Sequence, residues 1–344
     1  MKITPDQAMQ RIEEGEAYTA HPQLLYQDTP IKFASLVLTF SQNGEDYISL
    51  EASLAEETEL DPVTAPKLEL KVGLAFVSTG DTADMLHLHL TAQSITKTND
   101  APPILYAQSY ESVIRDAGAD RPRAFTAADD LTSCIKSIIG GILPEEKVIS
   151  HLPGKTQFLN GSDVFQWKPY ANPWQVIQEI CDNAEATLFH DGQNFHLVKL
   201  ASQTGKTSYY IDHNITKYSI DASRSEFANH VITRYSDDVE AHAVQTSGEY
   251  ATSAIGSKIY IDEINHEGSR AQAAARAQAI LKRRLAQNLK ITIEQATLPL
   301  LLRPGDTIQA LLNKTLYKGL IDSVKFDITG GLTIFTFNNI ERIK

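Results

Sequence analysis

The 344-residue chain is long enough for two or three domains at about 100 to 200 residues each. Hydrophobic residues at 42% and charged residues at 22% match a folded globular protein and exclude wholesale disorder. A net charge of -12 disfavours a sequence-independent grip on duplex nucleic acid, and two cysteines exclude a zinc site built mainly on thiolates.

No segment reaches the roughly 20 apolar residues that cross a bilayer as a helix, and the opening MKITPDQAMQRIEEGEAY has no apolar signal-peptide core. Synthesis in a cytoplasm, with no stable membrane insertion, is the expectation. The acidity is uneven: residues 1–66 hold twelve acids against three bases. It reads either as a solvated surface that aids solubility or as a wall that repels something anionic. The run EASLAEETELDP, with Glu56, Glu57, Glu59 and Asp61, reads as an outer loop.

A short helix opens the chain: Thr4 caps it, Pro5 takes its first turn, Gln7 completes a capping box, Gly15 follows, and Met9 and Ile12 anchor it. The period then changes to two. Leu36, Leu38 and Phe40 alternate with small or polar neighbours, and Asn43-Gly44 turns the chain into Tyr47-Ile48-Ser49-Leu50. In Lys67 to Phe76, Leu68, Leu70, Val72, Leu74 and Phe76 share one face, and Leu86, Leu88 and Leu90 repeat the pattern. The first third is therefore a β domain, a barrel or sandwich.

Helical period follows. Thr126 and Asp129 resemble a capping box, Leu131, Cys134, Ile135, Ile138 and Ile139 form a stripe, and Gly140-Gly141 supplies a stop. A second helix starts at Asn172 and Pro173 and buries Trp174, Ile177, Ile180, Cys181 and Ala184 against a hairpin bearing Phe189 and Phe195, which turns at Asp191-Gly192. Both cysteines read as buried small hydrophobes. Strands return at Val231-Ile232-Thr233, Lys258 to Ile261, Leu289-Ile291-Ile293, Gly319 to Phe326 and Leu332 to Phe337. A helix capped by Ser269 and Gln272 interrupts them, with Ala274, Ala277, Leu281 and Leu285 on one face and Arg270, Arg276, Lys282, Arg283 and Arg284 around the rest.

Sites of chemistry are sparse. His87 and His89 have a spacing that metal sites use, yet no third ligand is evident, and a polar outer strand face explains them. The Asp129-Asp130 pair fits the negative charge that a helix N-terminus favours. No nucleophile elbow, H-E-x-x-H, phosphate-binding loop or dinucleotide fingerprint occurs. The basic helix from Arg270 to Arg284 reads as a solvated face, and Trp167 and Trp174 can furnish an interface without locating one. No catalytic, cofactor-binding or metal site is expected.

The order of elements carries a resemblance. NPWQVIQEICDNAEATLFHDGQNFHLVKL at 172–200, SEFANHVITRY at 225–235, SRAQAAARAQAILKRRL at 269–285 and LLRPGDTIQALLNKTLYKGLIDSVKFDITGGLTIFTF at 301–337 together resemble the baseplate hub, or tail-tip hub, proteins of tailed phages and related contractile machines. The resemblance spans residues 165–344 and is architectural before that. It implies a mainly β chain with an α+β insertion: a tube-type β-barrel over 1–125, a helix-hairpin domain over 126–205, and a second tube-type barrel over 206–344 containing the helix at 269–286. Asn229 and Val231 would start a strand of the second barrel, and the Pro304-Gly305-Asp306 turn would precede another.

The implied function is structural, without catalysis. A homotrimeric ring in the virion would join a sixfold tail tube to a threefold tip, bind a tail-tube or distal tail protein and a spike, fibre or tape-measure protein, and pass DNA through its lumen. A tail-borne cell-wall or polysaccharide hydrolase and a receptor-binding module are the alternatives.

Overall fold

The computed structural model describes residues 1–42, 46–56, 58–118, 123–126, 128–158, 164–167, 171–184, 186–199, 208–222, 227–236, 239–263, 270–286 and 289–343. The turn expected at Asn43-Gly44, the cap at Ser269 and the start of the segment at Ser225 lie outside them.

Helix α1 (Pro5–Glu13) opens as its residues dictate. Thr4 Oγ1 accepts the Gln7 N–H, Gln7 Oε1 accepts the Thr4 N–H, and Ala8, Met9 and Ile12 are buried. Strands β1 (Tyr18–Tyr26), β2 (Thr29–Ile31), β3 (Phe33–Ser41), β4 (Ile48–Leu54), β5 (Lys67–Phe76), β6 (Thr82–Thr98) and β7 (Ala101–Gln108) follow. Alternation sets their faces: Leu36, Leu38 and Phe40 of β3 and Leu68, Leu70, Val72, Leu74 and Phe76 of β5 point inward.

The middle of the chain contributes α2 (Glu111–Asp116), β8 (Arg123–Thr126), α3 (Leu131–Ile142), β9 (Val148–Ser150), β10 (Val164–Trp167), α4 (Pro173–Asn183), β11 (Ala186–His190) and β12 (Phe195–Lys199). Asn172 Oδ1 caps α4 by accepting the N–H groups of Trp174 and Gln175. Ile177, Ile180 and Cys181 then bury against Leu188, Phe195 and Leu197. Three expectations change here. Leu188, not Phe189, faces α4, because period two sends Phe189 to the opposite side, where its ring lies tilted with its centroid 4.5 Å from that of Tyr47. The cap of α3 is Asp130, which accepts the Thr132 and Ser133 N–H groups, while Asp129 closes a separate turn onto Thr126. Gly140 and Gly141 lie inside α3 rather than ending it.

The last third supplies β13 (Ser208–Ile211), β14 (Ile215–Ala222), β15 (His230–Ser236), β16 (Val239–Val244), α5 (Thr252–Ile255), β17 (Ile259–Glu263), α6 (Arg270–Ala286), β18 (Leu289–Gln295), β19 (Thr307–Leu312), β20 (Thr315–Asp327) and β21 (Leu332–Ile343). Its strands divide between two sheets. The β15 strand carrying Val231 sits between β16 and β17 in a three-stranded sheet covered by α6, apart from the large sheet. Ala273, Ala277, Ile280 and Leu281 of α6 are buried there; Ala274, expected in the stripe, is exposed.

Strands from the first and last thirds form one 13-stranded sheet in the order β14-β18-β21-β20-β3-β4-β7-β6-β5-β1-β2, with β19 also pairing β20 and β13 pairing β19. The join is antiparallel, with Leu38 opposite Phe326 and Phe40 opposite Val324, and one apolar core runs through both thirds. No closed barrel is found among the described residues. Alternation in sequence fixes which face of a strand is apolar, whereas the partner across the β3 edge comes from nearly 300 residues away in the chain, as with the Thr329 hydroxyl that accepts the Leu36 N–H.

Candidate functional site

Among the open strand edges of the described residues are β14 and β17. β14 ends the large sheet with β18 as its partner and is exposed along nearly its whole length, including Tyr218 and Ile220. β17 borders the small sheet with β15 as its partner and leaves Ile259 and Ile261 about half exposed, at 53% and 50%. An edge strand presents unpaired N–H and C=O groups, so apolar side chains beside it suit strand addition by another chain.

The turn between β11 and β12 is the junction of the α+β unit with the large sheet. Asp191 Oδ1 accepts the Gln193 and Asn194 N–H groups, closing the turn that its sequence announces. The Gly192 carbonyl accepts the His89 N–H at 2.6 Å, and Gln193 Nε2 donates to the His87 carbonyl at 2.9 Å. Nearby, Arg115 at the end of α2 pairs with the 1% exposed carboxylate of Asp46 at 2.7 Å, and the Arg115 carbonyl accepts from Asn172. Glu111, fully buried, accepts the His190 N–H at 2.7 Å, and burial raises its carboxyl above the ordinary range.

On the outer face of β5 and β6 the two histidines acquire a third neighbour. Glu69 stands directly opposite His89, and Lys71 opposite His87. His87 Nε2 lies 3.3 Å from Glu69 Oε2, and the two imidazoles meet edge-on with centroids 5.1 Å apart. The Lys71 ammonium holds the Glu69 carboxyl below its usual range; burial, aided by His87, lowers His89. Alternation along Lys67 to Phe76 puts Glu69 on the polar face of β5, but its place beside the histidines depends on hairpin register.

Other candidates resolve into structural roles. Asp129 and Asp130 are turn and cap residues, and both cysteines are buried and outside any disulfide, with burial raising the Cys134 thiol to about 12. Of the basic residues on α6, Arg276 pairs with Asp262 at 2.7 Å and Arg284 lies 4.0 Å over the Tyr260 ring, so both serve the packing of the helix on its own sheet. Asn229 is buried and secures the entry to β15: its amide donates to the Tyr250 and Gly256 carbonyls and its oxygen accepts the Lys258 N–H. At the Pro304-Gly305-Asp306 turn, Gly305 has φ +90° and Asp306 accepts the Arg303 N–H at 2.8 Å. The Arg303 guanidinium in turn lies 4.0 Å over Phe40.

This architecture is found in solved phage tail proteins. The tail protein from Neisseria meningitidis MC58 aligns with a TM-score of 0.68 at 9% identity, covering 93% of this chain and 96% of its own. The 43 kDa tail protein of prophage MuSo2 from Shewanella oneidensis gives 0.66 at 12%, covering 92% and 97%. Prophage tail protein gp18 from Listeria monocytogenes EGD-e gives 0.57 at 12%, covering 92% and 94%. No family model and no curated protein matches the sequence. The chain therefore shares the fold of these tail proteins across almost its whole length, at identities of 9–12%.

Proposed function

We propose that the protein is a structural component of a phage tail, the hub of a baseplate or tail tip. Three copies form a ring that joins the sixfold tail tube to a threefold spike or tip and leaves a channel for DNA. The observation that carries this reading is the shared fold: tail proteins align with 92–93% of this chain, not over one module.

The sheet edges support the assembly mode. Cyclic closure gives every β14 or β17 edge an equivalent neighbour, which satisfies backbone groups that a monomer leaves to water. In this reading residues 1–125 and 206–344 supply two tube-type β units per chain, so that a trimer presents six to the tube, and residues 126–205 form the helix-hairpin unit beside them. A tail-tube or distal tail protein docks on one face of the ring and a spike, fibre or tape-measure protein on the other. No catalytic role is assigned.

Mass photometry of the purified chain, alone and mixed with its neighbouring tail proteins, tests the reading. A trimer, formed alone or on mixing, is expected. A protein that stays monomeric with every tail component contradicts it.

A further inference from the structure

We propose that Glu69, His87 and His89 form a binding site for a first-row divalent transition ion, zinc being the ion that the ligand set fits best. One ligand atom from each residue lies within 4.8 Å of both others. In a tetrahedral site with bonds of about 2.1 Å, ligand atoms stand roughly 3.4 Å apart. His87 Nε2 and Glu69 Oε2, at 3.3 Å, already have that separation, and the His89 ligand nitrogen, within 4.8 Å of the other two ligand atoms, moves inward to complete the set.

The backbone favours this arrangement. Positions i and i+2 of β6 put both imidazoles on one face, and the antiparallel register puts Glu69 directly across from His89. Both histidine backbones are held from the junction turn, through the Gly192 carbonyl and the Gln193 amide. His87 is exposed while Glu69 and His89 are half-buried, so an ion enters from solvent onto a pre-positioned set.

Ligand chemistry sets the class of ion. Two imidazoles and one carboxylate suit zinc, cobalt, nickel or copper, whereas calcium and magnesium take oxygen shells. Three protein ligands leave a further position for water or for a donor from another molecule. Lys71 is the built-in competitor: its ammonium lies 2.8 Å from Glu69 Oε2, and an entering dication displaces it toward solvent, where the side chain is already 42% exposed. The site is independent of the tail-assembly reading, and failure of either leaves the other standing.

The test uses the tag-free, full-length chain titrated with Co²⁺, whose visible absorption reports its coordination, followed by displacement with Zn²⁺. One ion per chain is expected, with the bands of a four- or five-coordinate nitrogen and oxygen site. His87→Ala and His89→Ala should each weaken binding by about tenfold or more, and Glu69→Gln by about tenfold. Lys71→Met should tighten it, and His213→Ala, at the exposed Asp212–His213 pair, should leave it unchanged. Zinc should also raise the melting temperature of the wild type but not of the double histidine variant. Absence of a stoichiometric ion, or equal binding by wild type and the double variant, overturns the proposal.

Discussion

Gly192 is seated directly on Leu88. A β-carbon on Gly192 would fall 2.6 Å from Leu88 Cδ2 and 3.1 Å from Leu88 Cβ, and its backbone holds φ +93°. The turn that carries Gly192 therefore docks the α+β unit onto β6 at a spacing that admits a β-carbon only if Leu88 shifts.

Gly192→Ala meets both penalties, strain at positive φ and overlap with Leu88, and is expected to destabilise the fold by about 2–4 kcal/mol. Gly154→Ala is the control, since Gly154 has φ +60° but nothing within 4 Å of the place an alanine methyl would occupy; it should cost about 1 kcal/mol, the strain alone. Urea midpoints separate the two. Equal losses in both variants would contradict the seating.

Ile177→Asp places a charge at a position with no solvent exposure, among Leu188, Phe195 and Leu197. The expected loss is several kcal/mol, about 4 or more, against about 1 kcal/mol for Ile177→Val. Thermal denaturation checks it. Wild-type stability in Ile177→Asp would mean that α4 faces elsewhere.

Much of this packing is legible in the sequence, for definite reasons. Thr4, Asn172 and the alternating leucines of β5 act over a few residues, and local rules suffice for them. Pro22 hides β1 and Pro102-Pro103 hide β7, because proline usually argues against a strand. Pro22 is tolerated where β1 pairs with β5 on one side and β2 reaches only Leu24 to Tyr26; Pro102 and Pro103 lie in the first residues of β7, exposed and half-exposed, before the part paired with β4. The β3–β20 join and the meeting of Glu69 with His87 and His89 depend on partner and register, which alternation does not encode. The Asn229 buttress and the Arg303 stack likewise rest on tertiary contacts.

The junction turn also predicts acid sensitivity. Burial raises the Asp191 carboxyl, but hydrogen bonds from His196 and from the Asn194 and Gln193 N–H groups outweigh it and hold the pKa at about 2, below the ordinary 3.8. The folded state thus binds this proton less readily than the unfolded chain, so the contribution is full above about pH 4 and is lost as pH falls toward 2. With the carboxylate 37% exposed, solvent screening reduces it to about 1–2 kcal/mol. Asp191→Asn should flatten the stability profile between pH 4 and 2, by about that amount; an unchanged slope would assign the acid sensitivity to other groups.

The run expected as an outer loop begins as strand: Glu51 to Leu54 belong to β4, where alternation buries Ala52 and Leu54, and Leu60 is buried too, while Glu56, Glu59 and Asp61 lie exposed. Glu56 pairs with Lys32 at 3.2 Å, both exposed, and Asp61 caps a short 3-10 turn at Val63. Replacing Glu56, Glu57, Glu59 and Asp61 with lysine should cost about 1 kcal/mol and leave DNA ejection unchanged. Salt-dependent slowing of ejection would instead put these positions in the lumen.

The hub assignment stands or falls on copy number. A reconstruction of the tail tip that contains this protein measures it directly. Three copies in one ring, between a sixfold tube and a threefold tip, is the expected result; six copies in the ring, or a single asymmetric copy, would contradict it.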